Sequence, residues 1–300
     1  MGISFDKIDG VIWYDGKLVP WQDANVHVLT HGLHYASSVF EGERAYGGKV
    51  FRSTDHSKRL KTSANILDFE IPYSVAEIDA AKQLVIDSNN LPDSYVRPIA
   101  WRGSEMMGVA ASTNTIHLAI AAWNWPSYFS PAEKLRGIRI DFAEYRRPDP
   151  RTIPSLAKAG GLYMICTISK HKAERKGYAD AMMLDWEGRV AETTAANIFF
   201  VREGKIHTPI ADCFLSGITR ATVIDLAKRR GVEVIERRIM PDELQGFSEC
   251  FVTGTAAEVT PVSEIAHWTF TPSKMSELLM MDYTAEVQPK GKTRGGAEAA

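Results

Sequence analysis

Apolar and polar positions along the chain switch between a two-residue period and a helical one, and the switches divide it into elements. Val11-Ile-Trp-Tyr14, the dipeptide Asp15-Gly16 and Lys17-Leu-Val19 predict an opening β-hairpin. Val39 to Arg52 alternates about Gly47-Gly48 and predicts a second one. Helical spacing then takes over. One helix is expected from a Ser53 cap to Asp68; the next starts at Ser74, where Glu77 completes a capping box, and ends near Asn90. Tyr95 to Trp101 and Thr115 to Ala122 are apolar enough to be buried strands, and the aromatic, Pro-containing stretch Trp123 to Glu133 reads as a linker or lid. Beyond it the pattern predicts a strand at Gly137 to Phe142, a helix at Leu162 to Lys176, and strands at Ala179 to Asp185 and Asn197 to Val201. A turn at Glu203-Gly204, an amphipathic helix at Thr219 to Arg230 and strands at Val232 to Ile235 and Cys250 to Thr253 complete the series.

This alternation gives a mixed α/β (α+β) chain with two sheet-containing domains. The expected division is a smaller N-terminal domain over residues 1–124, a connecting loop over 125–136 and a larger domain over 137–287; residues 288–300 read as a disordered tail.

Composition narrows the class of partner. A content of 45% hydrophobic and 24% charged residues, with a net charge of -2, suits an ordinary globular protein and offers no basic surface to nucleic acid or anionic lipid. No segment has the roughly 18 apolar residues of a membrane span, and the N-terminus lacks a signal-peptide pattern. A cytoplasmic protein acting on small molecules is expected, with neither nucleic acid nor membrane as partner. Cys166, Cys213 and Cys250 are an odd, widely spaced set and read as buried, reduced thiols.

Four segments carry candidate chemistry. Ile153 to Tyr163 places Lys158 among small and apolar residues, with Gly160-Gly161 close behind, so that an amine is poorly solvated and a ligand has room to approach. Alone, it reads more readily as a solvated loop lysine. Ser216-Gly-Ile-Thr-Arg220 starts a helix whose unpaired N–H groups at Ile218 and Thr219 suit an anion, or is simply a capped helix. Thr253-Gly-Thr-Ala-Ala-Glu258 offers a nest of N–H groups and the Thr255 hydroxyl, or is a plain strand-to-helix turn. Glu192, among small residues, suits a ring nitrogen, or is an exposed turn glutamate.

Taken together, AKAGGLY, VAETTAANIFF, SGITR and TGTAAEVTPV occur in the order and spacing of the fold-type IV aminotransferases, and the chain resembles the branched-chain aminotransferases within that group. HGLHYASSVFEGERAY, HSKRL, YVRPIAWRGSEMMGV and AAWNWPSYF extend the resemblance from about Ile12 to Val262. It implies a two-domain fold with a barrel-like C-terminal domain and pyridoxal 5'-phosphate as cofactor. Lys158 is then the covalent anchor and proton carrier, Glu192 the partner of the protonated ring nitrogen, and Tyr163 a hydrogen-bond partner of the ring oxygen. Arg59, Ile218, Thr219 and Thr255 would hold the phosphate. Tyr35, Phe40, Tyr95, Trp125 and Tyr128 would line a pocket for Leu, Ile or Val. Arg97 would take the side-chain carboxylate of glutamate, and the N–H groups of Thr255 and Ala256 the α-carboxylate. Met107 and Val109 resemble a loop contributed by a neighbouring subunit, so a homodimer or higher homo-oligomer is implied, with amino and 2-oxo acids as its small-molecule partners.

Two departures concern the pocket's shape: Thr-Thr-Ala-Ala-Asn follows Glu192, and the hairpin at Gly47-Gly48 is short. Arg44 and Arg102 read as surface charges or as a second carboxylate partner. D-amino-acid aminotransferases, (R)-amine transaminases and aminodeoxychorismate lyases share the lysine and glutamate, whereas Tyr95-Val-Arg97 and Gly108-Val109 favour the branched-chain reading. A metal-dependent hydrolase on His27, His31 and His34 is disfavoured by Gly32 and by the lack of an HExxH pattern, so no metal is expected. A non-catalytic binding protein is disfavoured because every coenzyme position is filled.

Overall fold

A computed structural model describes residues 4–125 and 135–288. The opening hairpin pairs β1 (Val11–Tyr14) with β2 (Lys17–Pro20), and Asp15 (φ 45°) and Gly16 (φ 94°) both take the positive φ that a type I′ turn requires. The second hairpin is shorter than its pattern. Gly47 and Gly48 turn only β4 (Glu43–Tyr46) into β5 (Lys49–Val50), while β3 (Ser38–Phe40) leaves them and pairs with Ile99 to Trp101 of β6 (Ser94–Arg102).

Helix α1 is a single short piece, His31–Tyr35, and α2 spans Ser53–Ile66. Ser53 is the first residue of α2 rather than its cap; left-handed Arg52 precedes it, and the Ser53 hydroxyl donates to Asp79 Oδ1 at 2.7 Å. That bond ties α2 to α3 (Val75–Ser88), which does begin with the expected box: Glu77 N donates to Ser74 Oγ, and Ser74 N to Glu77 Oε2. A wholly buried Lys82 joins the two helices to the sheet, donating to Glu43 Oε2 and Ser57 Oγ, each at 2.8 Å. A charge out of water persists only with such partners.

The first sheet runs β2-β1-β7-β6-β4-β5, with β3 also on β6 and β7 spanning Ile116–Asn124. Alternation decides its two faces. Trp13, Val96, Leu118 and Ile120 pack under α2 and α3, whereas Ile12, Ile99, Trp101, Ala119 and Ala121 lie on the other side. Trp123 and Asn124, assigned to the linker by their composition, belong to β7. The rest of that linker from residue 126 to 134, including Tyr128, falls outside the described residues, as does the tail beyond 288.

The second sheet has the order β10-β9-β8-β15-β14-β11-β12-β13, with β16 (Trp268–Thr269) on β15. Its strands are β8 (Ile138–Phe142), β9 (Asp180–Leu184), β10 (Val190–Thr193), β11 (Asn197–Arg202), β12 (Lys205–Pro209), β13 (Val234–Arg237), β14 (Glu249–Gly254) and β15 (Glu258–Ile265). Strand β10 also contacts β11 and β12, so the sheet curls on itself into the barrel-like form expected. Helix α4 (Met164–Arg175) follows a 3-10 turn, Gly160–Tyr163, and so starts later than its periodicity suggests. Helices α5 (Ile218–Arg229) and α6 (Lys274–Val287) cover Phe199, Phe251 and Val259 on one face, and Ile198, Phe200, Val252 and Val262 fill the other. Strand β15 and helix α6 have no counterpart in the sequence pattern as read.

The three histidines do not share a helical face, because His27 precedes α1. His31 sets its ring nitrogens against Ser37 Oγ and Gly108 O, and His34 Nε2 meets Val28 O. All three cysteines are free and buried. Among the described residues no helix is long and apolar enough to cross a membrane.

Candidate active site

The segment bearing Lys158 is clamped from the N-terminal side. Its N–H donates to Ser63 Oγ of α2 at 3.0 Å, its carbonyl accepts from Phe40 N at 3.0 Å, and Ala159 forms a β-bridge with Val39. A Cβ on Gly160 would meet Ser38 Oγ at 2.8 Å and one on Gly161 would meet Ala36 Cβ at 2.9 Å. The two glycines therefore admit a neighbouring chain segment, not a ligand as expected from sequence. The side chain of Lys158 is half-buried, donates from Nζ to Tyr163 Oη at 2.8 Å, and lies 5.0 Å from the centre of the Phe40 ring. It is not a solvated loop lysine.

Glu192 is on strand β10, 7% exposed, and not in an exposed turn. The register of β10 against β9 shifts between Val190 and Glu192, a bulge of the kind that re-aims a side chain. One oxygen of Glu192 pairs with Arg147 Nη2, and the other accepts from Asn197 Nδ2 at 3.1 Å. Burial raises the Glu192 pKa, and the charges of Arg147 and Lys158 oppose that rise without cancelling it. Nothing in the sequence marks Arg147, which follows Arg146 in a loop with no periodic pattern; Asn197 lies inside a motif that does.

Across the cavity, Arg59 of α2 presents Nε and Nη2 to the two oxygens of Glu41, at 2.7 and 2.8 Å, and His56 Nδ1 lies 2.7 Å from Glu41 Oε2. Burial alone would raise the pKa of Glu41, but the Arg59 guanidinium overrides it and holds the carboxyl well below the usual range. Helix α5 starts at Gly217 without a side-chain cap, which leaves its first-turn N–H groups and the positive end of its dipole facing the same space.

Arg59, Lys158, Tyr163, Glu192, Ile218, Thr219 and Thr255 all line one cavity of about 640 Å³ including its mouth, together with Asn197 and Thr253. Thr253 Oγ1 is buried there without a hydrogen-bond partner. The Thr253–Glu258 stretch joins β14 to β15 and is thus a strand-to-strand turn, not a strand-to-helix one. The proton of the Thr255 hydroxyl is committed to Gly42 O at 2.8 Å. Ala256 is exposed beside it.

An aromatic wall extends from the lysine. Phe40 packs on Tyr163 at 5.0 Å, Arg97 lies 4.8 Å over Phe40 and donates to Tyr95 Oη at 3.2 Å, and Trp125 lies 5.3 Å from Tyr95. Tyr35 is not part of it: on α1 it is 47% exposed and stacks on His31. Neither Arg44 nor Arg102 is a surface charge or a spare partner for carboxylate. Arg44 is buried and pairs with Glu258 at 2.7 Å, while Arg102, also buried, donates to Ala111 O and Asp68 O.

Comparison with known proteins places these features in a family. The family model for class IV amino-transferases matches residues 38–265. A probable branched-chain-amino-acid aminotransferase of Rickettsia felis is 45% identical over 263 residues, 88% of this chain and 89% of the relative. Among solved structures, the branched-chain amino acid aminotransferase of Escherichia coli superposes with a TM-score of 0.90 at 35% identity, covering 96% of this chain and 98% of the other. The branched-chain amino acid aminotransferase of Thermobaculum terrenum, in its PLP-bound holo form, gives 0.85 at 30% identity, with coverage of 93% and 94%.

Proposed function

The chain belongs to the class IV aminotransferases, and from that premise we propose that it is a pyridoxal-phosphate enzyme exchanging amino groups between branched-chain L-amino acids and 2-oxoglutarate. The observation that carries this reading is the convergence of the Lys158 amine, the Glu192 carboxylate, the Arg59 guanidinium and the uncapped end of α5 on one cavity. These groups fit a flat, phosphorylated, nitrogen-containing ring. Arg59, the N–H groups of Ile218 and Thr219 and the Thr255 turn would hold its phosphate, Tyr163 its ring oxygen, and Glu192 a protonated ring nitrogen. Thr253 Oγ1, buried and unpaired, is a further polar group toward the same ligand.

When bound, that coenzyme supplies an aldehyde that joins covalently to an amine and a ring that draws electrons from the substrate α-carbon. The protein's part is to place and move protons. Lys158 Nζ anchors the coenzyme, takes the proton released at the α-carbon and returns it, and Tyr163 Oη orients it through their hydrogen bond. Glu192, whose two oxygens are held by Arg147 and Asn197, would stabilise positive charge on the ring nitrogen.

Phe40, Tyr95 and Trp125 would supply apolar walls for a branched side chain. Arg97 lies over two of those rings, where it can meet a glutamate carboxylate without being stranded when leucine binds, since the ring faces accept its charge. The N–H groups of Thr255 and Ala256 would take the α-carboxylate. The outer face of the first sheet favours a homodimer: Ile12, Tyr14, Leu33, Ile99 and Trp101 line a largely apolar groove that Arg97 also borders, and Val28, Leu33 and Val109 are 71%, 63% and 83% exposed. A second copy covering this face would bring Tyr35, Met107 and Val109 against its neighbour. Three buried, free thiols are consistent with a reducing, cytoplasmic location, where the enzyme would serve branched-chain amino-acid biosynthesis.

Purified enzyme given L-leucine and 2-oxoglutarate should form L-glutamate, scored by chiral chromatography; D-glutamate or pyruvate from aminodeoxychorismate would select a sister activity. Lys158→Ala should lower turnover by about 10⁴-fold or more. Arg97→Ala should impair 2-oxoglutarate more than leucine, and equal losses would give Arg97 a general role.

A further inference from the structure

Asn197, the first residue of β11, is 5% exposed and makes three hydrogen bonds through its amide, using both N–H donors. Nδ2 donates to Glu192 Oε2 at 3.1 Å and to Leu215 O at 3.0 Å, while Oδ1 accepts from Gly217 N at 3.1 Å. The amide has one orientation only. Flipped, its oxygen would face a carboxylate and a carbonyl, and its NH₂ would face an N–H. An aspartate would set a second buried anion against Glu192, and alanine would leave buried Glu192 Oε2 and the part-buried Leu215 O and Gly217 N without this partner. Gly217 is fitted to this side chain from the far side, since a Cβ there would meet Oδ1 at 2.4 Å.

Under the coenzyme assignment above, the two groups that Asn197 grips would serve opposite ends of the ligand. Glu192 belongs to the ring-nitrogen end, and Gly217 opens α5 at the phosphate end. We propose that Asn197 is a positioning residue that fixes the spacing between the ring-nitrogen carboxylate and the phosphate cradle, coupling the two ends of the coenzyme site through one amide. This rests on the coenzyme assignment above, which gives the two ends their meaning. Asn197 touches no reacting atom in this scheme; it acts through Glu192 and through the first turn of α5.

Gly217→Ala tests the coupling without removing any polar group. Gly217 has φ -64° and ψ 146°, which alanine adopts without strain, so the change acts by displacing the Asn197 amide. Holoenzyme is prepared with coenzyme labelled with ¹⁵N in its ring, and ¹⁵N and ³¹P spectra are recorded beside the coenzyme dissociation constant and the melting of the coenzyme-free protein. Both signals should shift, melting should stay near wild type, and affinity should fall about tenfold, the loss expected for one hydrogen bond to a charged group. Asn197→Ala should shift both signals and weaken coenzyme binding likewise, with a lower melting temperature because it leaves polar groups unpaired, and the double variant should bind no more weakly than the worse single one, as for residues acting through one contact. A ³¹P shift in Gly217→Ala with an unchanged ¹⁵N signal would overturn the coupling, as would additive losses in the double variant. A wild-type protein showing no bound-coenzyme signal would overturn the functional reading as well, so the two failures are told apart.

Discussion

Two arginine–carboxylate pairs flank the cavity, and they differ in what they leave open. At the Arg59 end, Glu41 is wholly buried and receives two guanidinium N–H groups and the His56 ring, so its pKa is driven down against the effect of burial. At the Arg147 end, Glu192 receives one charged partner and one neutral amide, and burial keeps its pKa raised. The first pair is closed: its carboxylate is saturated, and its work is to hold the Arg59 fork. The second is under-compensated, and a further cation, such as a protonated ring nitrogen, would relieve it. Similar chemistry at both ends thus yields a support on one side and a receptor on the other.

The comparison is broken most severely by taking away the receptor's charge. Glu192→Gln should lower kcat on the order of 10²-fold or more while the fold persists, because a preorganised electrostatic partner is lost where charge develops. A kcat within a few-fold of wild type would make Glu192 a support like Glu41. Glu41→Gln should instead cost stability, about 3 kcal/mol in urea unfolding of the coenzyme-free protein, because Arg59 loses its countercharge in a buried setting.

The pH dependence of these stabilities gives the finest distinction. The folded pKa of Glu41 is depressed, so its contribution is present above the unfolded value of about 4.3 and is lost as pH falls toward the folded one. The gap between wild type and Glu41→Gln should narrow between about pH 5 and pH 3. The folded pKa of Glu192 is raised, so its contribution is present below the unfolded value and is lost as pH rises through the folded one. Wild type should therefore lose ground to Glu192→Gln as pH rises. Parallel profiles for the two variants would erase the distinction.

How much of this was legible in the sequence depended on whether the signal was local. Asp15-Gly16 and the Ser74/Glu77 box were read correctly because each fixes its own backbone. Ser53 was misread because its hydroxyl serves Asp79, 26 residues away, which no cap pattern encodes. Strand β15 carries Pro261, a residue that counts against a strand; in the fold β8 joins β15 only from Val262 onward, so at Pro261 only β14 is alongside. In α6 the buried Ser276, Leu279, Met280, Tyr283 and Val287 keep helical spacing, but polar residues break the stripe. The residues that meet in the cavity were singled out through motif resemblance, each being ambiguous alone. Arg147 and Glu41 were not, because their importance comes from contacts made only when distant segments meet.

All of this presumes that the cavity's lysine is the one that carries the coenzyme. The most direct measurement is borohydride reduction of the protein loaded with pyridoxal phosphate, followed by peptide mass mapping. The account predicts one phosphopyridoxyl label, on Lys158. A label on another lysine, or none at all, would contradict it.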